Sequence, residues 1–210
     1  MARQRRTRAE KSAQTRAELM ASARQLFLRH GFHACSLEMV AEEAGFTIGA
    51  VYSRFGSKAN LFLAILDERI DQLVAEVAQV AGLHQPIPEQ AELLAGRRMA
   101  LLEREREWFP LVLEFWSHAA RDERLRHEFG ACHERLVGAY ADLIEADYAR
   151  LGLPLPLAPE VLAKAVVAMG NGVALERLTD PARVPEGLLS TMAVAFLRGV
   201  TADGPAERRF

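Results

Sequence analysis

The chain has 210 residues, half of them hydrophobic, and a formal net charge of −2, enough apolar material to bury a substantial core in one or two domains. Two cysteines, Cys35 and Cys132, exclude a disulfide framework and lie in no metal-ligand spacing; the most apolar later segment, 165–175, is interrupted by Asn171 and falls well short of the ~20 residues of a membrane span. With an Arg-rich N-terminus that lacks an apolar core, these features predict a cytoplasmic protein with no membrane partner.

Charge is unevenly distributed. Residues 1–60 hold ten Lys/Arg against five Asp/Glu, and the remaining residues hold sixteen against twenty-three. A basic front end on an acidic body is expected where only the front end meets a polyanion, although a solvated arm carries much of the excess in Arg3, Arg5, Arg6, Arg8 and Lys11. Residues 1–14 are polar and aperiodic, which predicts a disordered basic arm. Beside a DNA-binding motif such an arm can follow the backbone or enter a minor groove.

Thr15-Arg16-Ala17-Glu18 has the pattern of a capping box, and Leu19, Ala23, Leu26 and Phe27 follow on one helical face before Gly31 ends the helix. Ser36 is placed to cap a short second helix to Ala44, with Leu37, Val40, Ala41 and Ala44 on one face. Gly45 breaks it, and Thr47 is placed to cap a third helix from Ile48 to about Phe55. Two short helices joined by a tight turn are the layout of a helix-turn-helix, whose second helix enters the major groove of DNA; spacing alone leaves a surface αα-hairpin open. Gly49 lies inside the third helix at a cost of about 1 kcal/mol relative to Ala. Close backbone approach to DNA or to the preceding helix would offset it.

From Ser57 and Lys58 a fourth helix can run to about Ala81 with Leu61, Ile65, Leu73 and Val77 inward, and no proline precedes Pro86. A stiff rod of this kind can carry a change of angle between domains, so the domain boundary is expected inside it. The remaining elements read as helices over about 89–106, 108–120, 122–150, 159–178 and 185–199, with no sustained strand alternation. The fold class is all-α. Trp108, Phe109, Leu113, Phe115 and Trp116 form an aromatic stripe that fits a packed core as well as an apolar cavity. In the last two helices, Ala168 and Gly172 lie four residues apart on a thin face, and Ala193, Val194, Phe196 and Leu197 offer an apolar one. Two such pairs, one from each subunit, would form a dimeric bundle; intramolecular packing would use the same residues. Residues 201–210 read as a flexible tail.

Over residues 15–61 the sequence resembles the DNA-binding domain of TetR-type bacterial transcriptional regulators. The resemblance rests on Thr15-Arg16, Ala23, Leu26-Phe27 and Gly31, then Ser36, Val40-Ala41, Ala44-Gly45, Thr47, Gly49, Val51-Tyr52, Phe55 and Lys58, in register without a gap. It implies a helix-turn-helix domain over 15–60, a helical ligand-binding and dimerisation domain over 61–200, and a homodimer through the last two helices on an inverted-repeat operator.

Carried over position by position, Ser36 and Thr47 cap the helices and can reach phosphates, and Tyr52 and Lys58 contact the DNA backbone. Glu38, Ile48, Gly49, Ala50, Ser53 and Arg54 would face the bases, with Arg54 suited to guanine O6 and N7 and Glu38 to cytosine N4. Ile48 is ambiguous: its spacing to Val51 and Phe55 would bury it, whereas the resemblance turns it toward the groove. The resemblance also implies a small, largely apolar effector enclosed by Trp108, Phe109, Leu113, Trp116, Phe129 and Tyr140, with His118, His133 or Asn171 as polar anchors. No cofactor is expected. An enzyme finds little support, since there is no Gly-x-Ser-x-Gly, P-loop or His-Glu-x-x-His; a constitutive or protein-controlled DNA binder remains the alternative.

Overall fold

The structure, a computed structural model, describes residues 7–202, with side chains to residue 200. The described residues form helices α1 (Arg8–Ala34), α2 (Leu37–Ala44), α3 (Ile48–Phe55), α4 (Lys58–Ala81), α5 (Ile87–Arg104), α6 (Trp108–Ala119), α7 (Glu123–Leu151), α8 (Pro159–Thr179) and α9 (Leu188–Ala202), with a 3-10 turn at Pro181–Arg183. No strand occurs among them, and no helix is long and apolar enough to cross a membrane.

Helix α1 begins earlier than its sequence predicts. The tetrapeptide Thr-Arg-Ala-Glu occurs twice, at 7–10 and 15–18, and the first copy is the cap. Thr7 Oγ1 accepts the Glu10 N–H at 3.2 Å, and Glu10 Oε2 accepts the Thr7 N–H at 2.7 Å. Thr15 lies inside the helix and donates its hydroxyl to the Lys11 carbonyl at 3.0 Å. The expected disordered arm is therefore helical from Arg8; good helix formers such as Lys11, Ala13 and Gln14 carry the helix upstream, and Gln14 pairs with Glu18 at 2.6 Å. Residues 1–6 of the expected arm, and the tail from 203 on, lie outside the described residues. Gly31 interrupts α1 with φ +78°, a left-handed conformation open to glycine, and a last short turn follows.

The chain divides into two compact units. Unit 1 runs to Arg69 and regains Pro110–Gly130; unit 2 comprises Ile70–Phe109 and the chain from Ala131. The boundary falls inside α4, and α6 returns to the first unit from Pro110 on. Aromatic packing explains that return. Phe62 of α4 stacks on Phe115 of α6 at 4.4 Å, and Phe32 meets both edge-on at 5.6 and 5.1 Å. Each such pair adds about 0.5–1.5 kcal/mol to the burial of its rings. Within unit 1, α1 packs on α2 and α2 on α3, over a core that includes Leu19, Ala23, Leu26, Phe27, Val40, Val51 and Phe55.

Unit 2 is a helical bundle in which α5 packs on α8 and α9. One part of its core gathers Val137, Ala141, Ile144 and Tyr148 of α7 with Leu162, Ala163 and Val167 of α8. A buried polar pair, Gln90 and Asp147, is joined at 3.0 Å, and Arg150 donates to Asp147 at 2.8 Å. The thin helix α8 uses its two sides differently. Ala163 and Gly170 face inward, whereas Val161, Ala168, Gly172, Leu175 and Leu178 are exposed along its outer side. On α9, Ala193 and Leu197 are consumed inside this bundle, and Met192 and Ala195 remain exposed.

Candidate nucleic-acid interface

Caps fix the two short helices. Ser36 Oγ accepts the Met39 N–H at 3.3 Å and starts α2; Gly45, at φ +69°, ends it and donates its N–H to the carbonyls of Ala41 and Glu42. Thr47 Oγ1 accepts the Ala50 N–H at 3.3 Å and starts α3. Val51 and Phe55 turn inward, one helical turn apart. The opposite side of α3 presents Ile48, Gly49, Tyr52 and Ser53 to solvent, with Ala50 and Arg54 half-buried at its margins.

Ile48 is 37% exposed, which resolves its ambiguity toward the outer face. A helical side chain leans over the turn N-terminal to it, and Ile48 is the first residue of α3, so no preceding turn exists to cover it. Tyr52 is 51% exposed. Gly49 has no protein atom crowding its missing side chain; a Cβ there would meet only Thr47 Oγ1, at 3.9 Å. The preceding helix therefore does not require this glycine.

Arg54 and Ser53 are turned back on their own helix. Arg54 Nη1 and Ser53 Oγ both donate to the Ala50 carbonyl at 3.1 Å, and Arg54 Nε is buried with no partner. A guanine contact needs the guanidinium to swing away from Ala50. Glu38 is exposed in the first turn of α2, and hydrogen bonds from its own backbone N–H and from Ser36 hold its carboxyl below the usual range, so it is an acceptor at neutral pH. Arg16 of α1 lies over the Phe55 ring at 4.8 Å.

Lys58 is engaged within the protein. Its ammonium donates to the carbonyls of Phe32, His33 and Cys35 at 2.8, 3.0 and 2.9 Å, and sits 4.7 Å from the Phe32 ring. An ammonium has three protons, and here all three are used, so Lys58 braces the α1–α2 junction. Sequence reasoning also missed Glu114 of α6, whose Oε2 and Oε1 accept the N–H groups of Phe32 and His33, each at 2.9 Å. The junction peptide is thus held by a carboxylate on its donors and an ammonium on its acceptors. Glu114 lies more than eighty residues from its partners, and no local pattern marks it.

The residues expected around an effector do not all fall in one unit. Leu113, Trp116, Phe129 and His118 belong to unit 1, and Trp108, Phe109, His133, Tyr140 and Asn171 to unit 2. Trp116 is 42% exposed and packs beside Phe129 at 5.4 Å, and His118 packs on Phe32 at 5.0 Å. In unit 2, Asn171 Oδ1 accepts a hydrogen bond from Arg98 at 3.3 Å. Burial holds the His133 imidazole below its ordinary value, with Lys164 and Arg98 acting in the same sense and Glu134 opposing. Burial also pushes the Tyr140 phenol up, against a smaller lowering by Arg98 and with a further raising by Glu76. Arg98 is thus the group common to Asn171, His133 and Tyr140, and the sequence did not single it out.

Residues 19–65 match the model of bacterial regulatory proteins of the tetR family, and residues 88–202 match that of the C-terminal part of BetI-type transcriptional repressors. The transcriptional activator FasR of Mycolicibacterium smegmatis is 24% identical over 63% of this chain and 59% of its own length. The repressor AcnR of Corynebacterium glutamicum is 35% identical over 35% of this chain and 39% of its own. The chain thus spans less than two thirds of the length of these two relatives, whereas the alignment with the repressor BepR of Brucella suis, at 26% identity, covers 80% of this chain and 82% of that one. Among solved structures, a TetR-family regulator from Mesorhizobium loti superposes with a TM-score of 0.73 at 22% identity, over 94% of this chain and 98% of that one. The regulator FadR of Bacillus subtilis, solved in complex with stearoyl-CoA, superposes with a TM-score of 0.71 at 11% identity, over 89% and 97% of the two chains. At these identities the structural likeness speaks for the fold.

Proposed function

The chain belongs to the TetR family of bacterial regulatory proteins, and from that premise we propose that it is a homodimeric, sequence-specific DNA-binding transcriptional regulator, a repressor released from its operator by a small, largely apolar effector. The observation that carries the reading is the outer face of α3: a capped helix anchored by Val51 and Phe55 presents Ile48, Gly49, Tyr52 and Ser53 to solvent. Such a face fits a major groove, with Ile48 against a thymine methyl, Tyr52 on a phosphate and Arg54 on a guanine after leaving Ala50. Ser36 and Thr47 hold the two helices by their caps and keep their hydroxyls near the phosphates, while Glu38 and Ala50 flank the reading face. The open space at Gly49 supports close approach of DNA as the reason for a glycine in α3.

Exposed Arg8 and Lys11 in the first turns of α1 supply attraction for the phosphate backbone that Lys58 does not. The dimer reading rests on the outer stripe of α8, Val161, Ala168, Gly172, Leu175 and Leu178, which stays open in the single chain while α9 spends much of its apolar face internally. Repression follows AcnR and BepR, and the aromatic residues of α6 support a small, largely apolar effector. The cytoplasm is the compartment in which such a protein meets its operator.

Selection of bound duplexes from a random pool by the full chain tests the reading. Enrichment of a two-fold symmetric site is expected. Failure to enrich any site at both low and moderate salt refutes it.

A further inference from the structure

The peptide between α1 and α2 is the last backbone before the Ser36 cap, so its course sets where α2, and through it α3, begins. Two charged side chains hold it. Lys58 reaches it from the start of α4, only a few residues past α3, and so moves with the motif. Glu114 reaches it from α6, a helix that enters unit 1 at Pro110 and has its first residues in unit 2. Both oxygens of Glu114 are engaged, one on each of two successive N–H groups at 2.9 Å, a geometry that fixes position along the helix axis as well as distance. Gly31 is shaped to admit it: at φ +78° it turns the Phe32 and His33 amides toward α6, and a Cβ there would stand 2.9 Å from Glu114 Oε2. The stack of Phe115 on Phe62 and the edge contact of Phe32 with Phe115 hold α6 at this register.

We propose that Glu114 is a positioning residue for operator binding, a latch by which the register of α6 is passed through the Phe32 and His33 amides to the placement of α2 and α3. The inference rests on the DNA-binding reading above. A slide of α6 by about 1 Å would stretch a 2.9 Å bond beyond hydrogen-bonding range, so the latch has two states, made and broken, rather than a graded response. Release would leave the junction held by Lys58 and the Phe32 ring contacts, with its amides free of α6, so that the reading helix can tilt without unfolding.

The test uses the full chain with Glu114→Gln, which keeps the size but sets an amide NH2 against one of two backbone N–H donors, and Glu114→Asp, which shortens the reach. Amide hydrogen exchange and selection from a random duplex pool are read on both variants and on the unmodified chain. For Glu114→Gln the Phe32 and His33 amides should exchange at least tenfold faster, with protection in the middle of α1 unchanged. The selected half-site should keep its sequence while the spacing between half-sites broadens, and affinity for the site preferred by the unmodified chain should fall at least tenfold. A simple brace would lower stability yet leave half-site spacing unmoved, and unchanged spacing and affinity in a folded variant would overturn the proposal. Should Glu114→Gln not fold, the same readings on Glu114→Asp decide between these outcomes. Failure of the unmodified chain to select any site is a separate result, which refutes the DNA-binding reading and the latch with it.

Discussion

Lys58→Met separates a phosphate contact from an internal brace. The substitution removes the ammonium and keeps an unbranched stem that still packs on the Phe32 ring. Three hydrogen bonds are lost, to the carbonyls of Phe32, His33 and Cys35. Bonds to charged groups contribute about 1.5–3 kcal/mol each, but His33 is exposed and water replaces its partner, so two partly buried carbonyls carry the loss. Relief of the desolvation of the ammonium offsets part of it, leaving about 2–3 kcal/mol. In a chain of this size 1 kcal/mol shifts the melting temperature by about 2–4 °C, so a fall of roughly 4–12 °C is expected. In titrations of the selected duplex at several salt concentrations, the slope of log K against log salt should match that of the unmodified chain. Loss of one phosphate contact would reduce that slope by about 0.9. A variant that melts within a degree of the unmodified chain but shows the reduced slope would refute the brace and restore Lys58 to the DNA surface.

Gly49→Ala should stabilise α3 by up to about 1 kcal/mol, because nothing in the protein crowds the added methyl, and yet weaken duplex binding at least tenfold if the groove or a phosphate lies against it. Urea midpoints and duplex titrations measure the two effects, and affinity that rises together with stability would remove Gly49 from the interface. His133 gives the chain a pH dependence of known sign. Its folded imidazole titrates below the ordinary value of 6.5, so protonation favours the unfolded chain: the contribution is fully present above 6.5 and is lost as pH falls from there toward the folded value. The urea midpoint should drop between pH 7.5 and pH 5.5 by less in His133→Asn than in the unmodified chain, and equal drops would contradict the assignment.

The helices themselves were legible because their signals are local. Ser36, Thr47 and Gly45 act where their spacing puts them, and the ends of α4, α7 and α8 and the starts of α5, α8 and α9 fall within two residues of a Pro or Gly. The start of α1 was not, since two identical Thr-Arg-Ala-Glu tetrapeptides lie eight residues apart and a local pattern cannot rank them. The return of α6 to unit 1 was not legible, for the opposite reason. It depends on Phe115 meeting Phe62 and Phe32, contacts between residues more than fifty apart that periodicity along one helix cannot register.

The same distinction governs the site. Exposure of Ile48 follows from its being the first residue of α3, a fact available once Thr47 is taken as the cap, whereas helical periodicity alone would have buried it. Lys58 shows the limit of type-based assignment: a lysine just beyond a reading helix suits a phosphate and suits a cluster of orphan carbonyls equally, and the turn after Gly31 supplies three of them within 3.0 Å. With the ammonium so engaged, the proposed function assigns attraction for DNA to the exposed Arg8 and Lys11, on the turns of α1 that read as an arm. Arg8 and Lys11 share α1 with Arg16, whose guanidinium lies over Phe55 at the end of α3, so under the proposed function phosphate attraction and base reading are carried on elements fixed to one another.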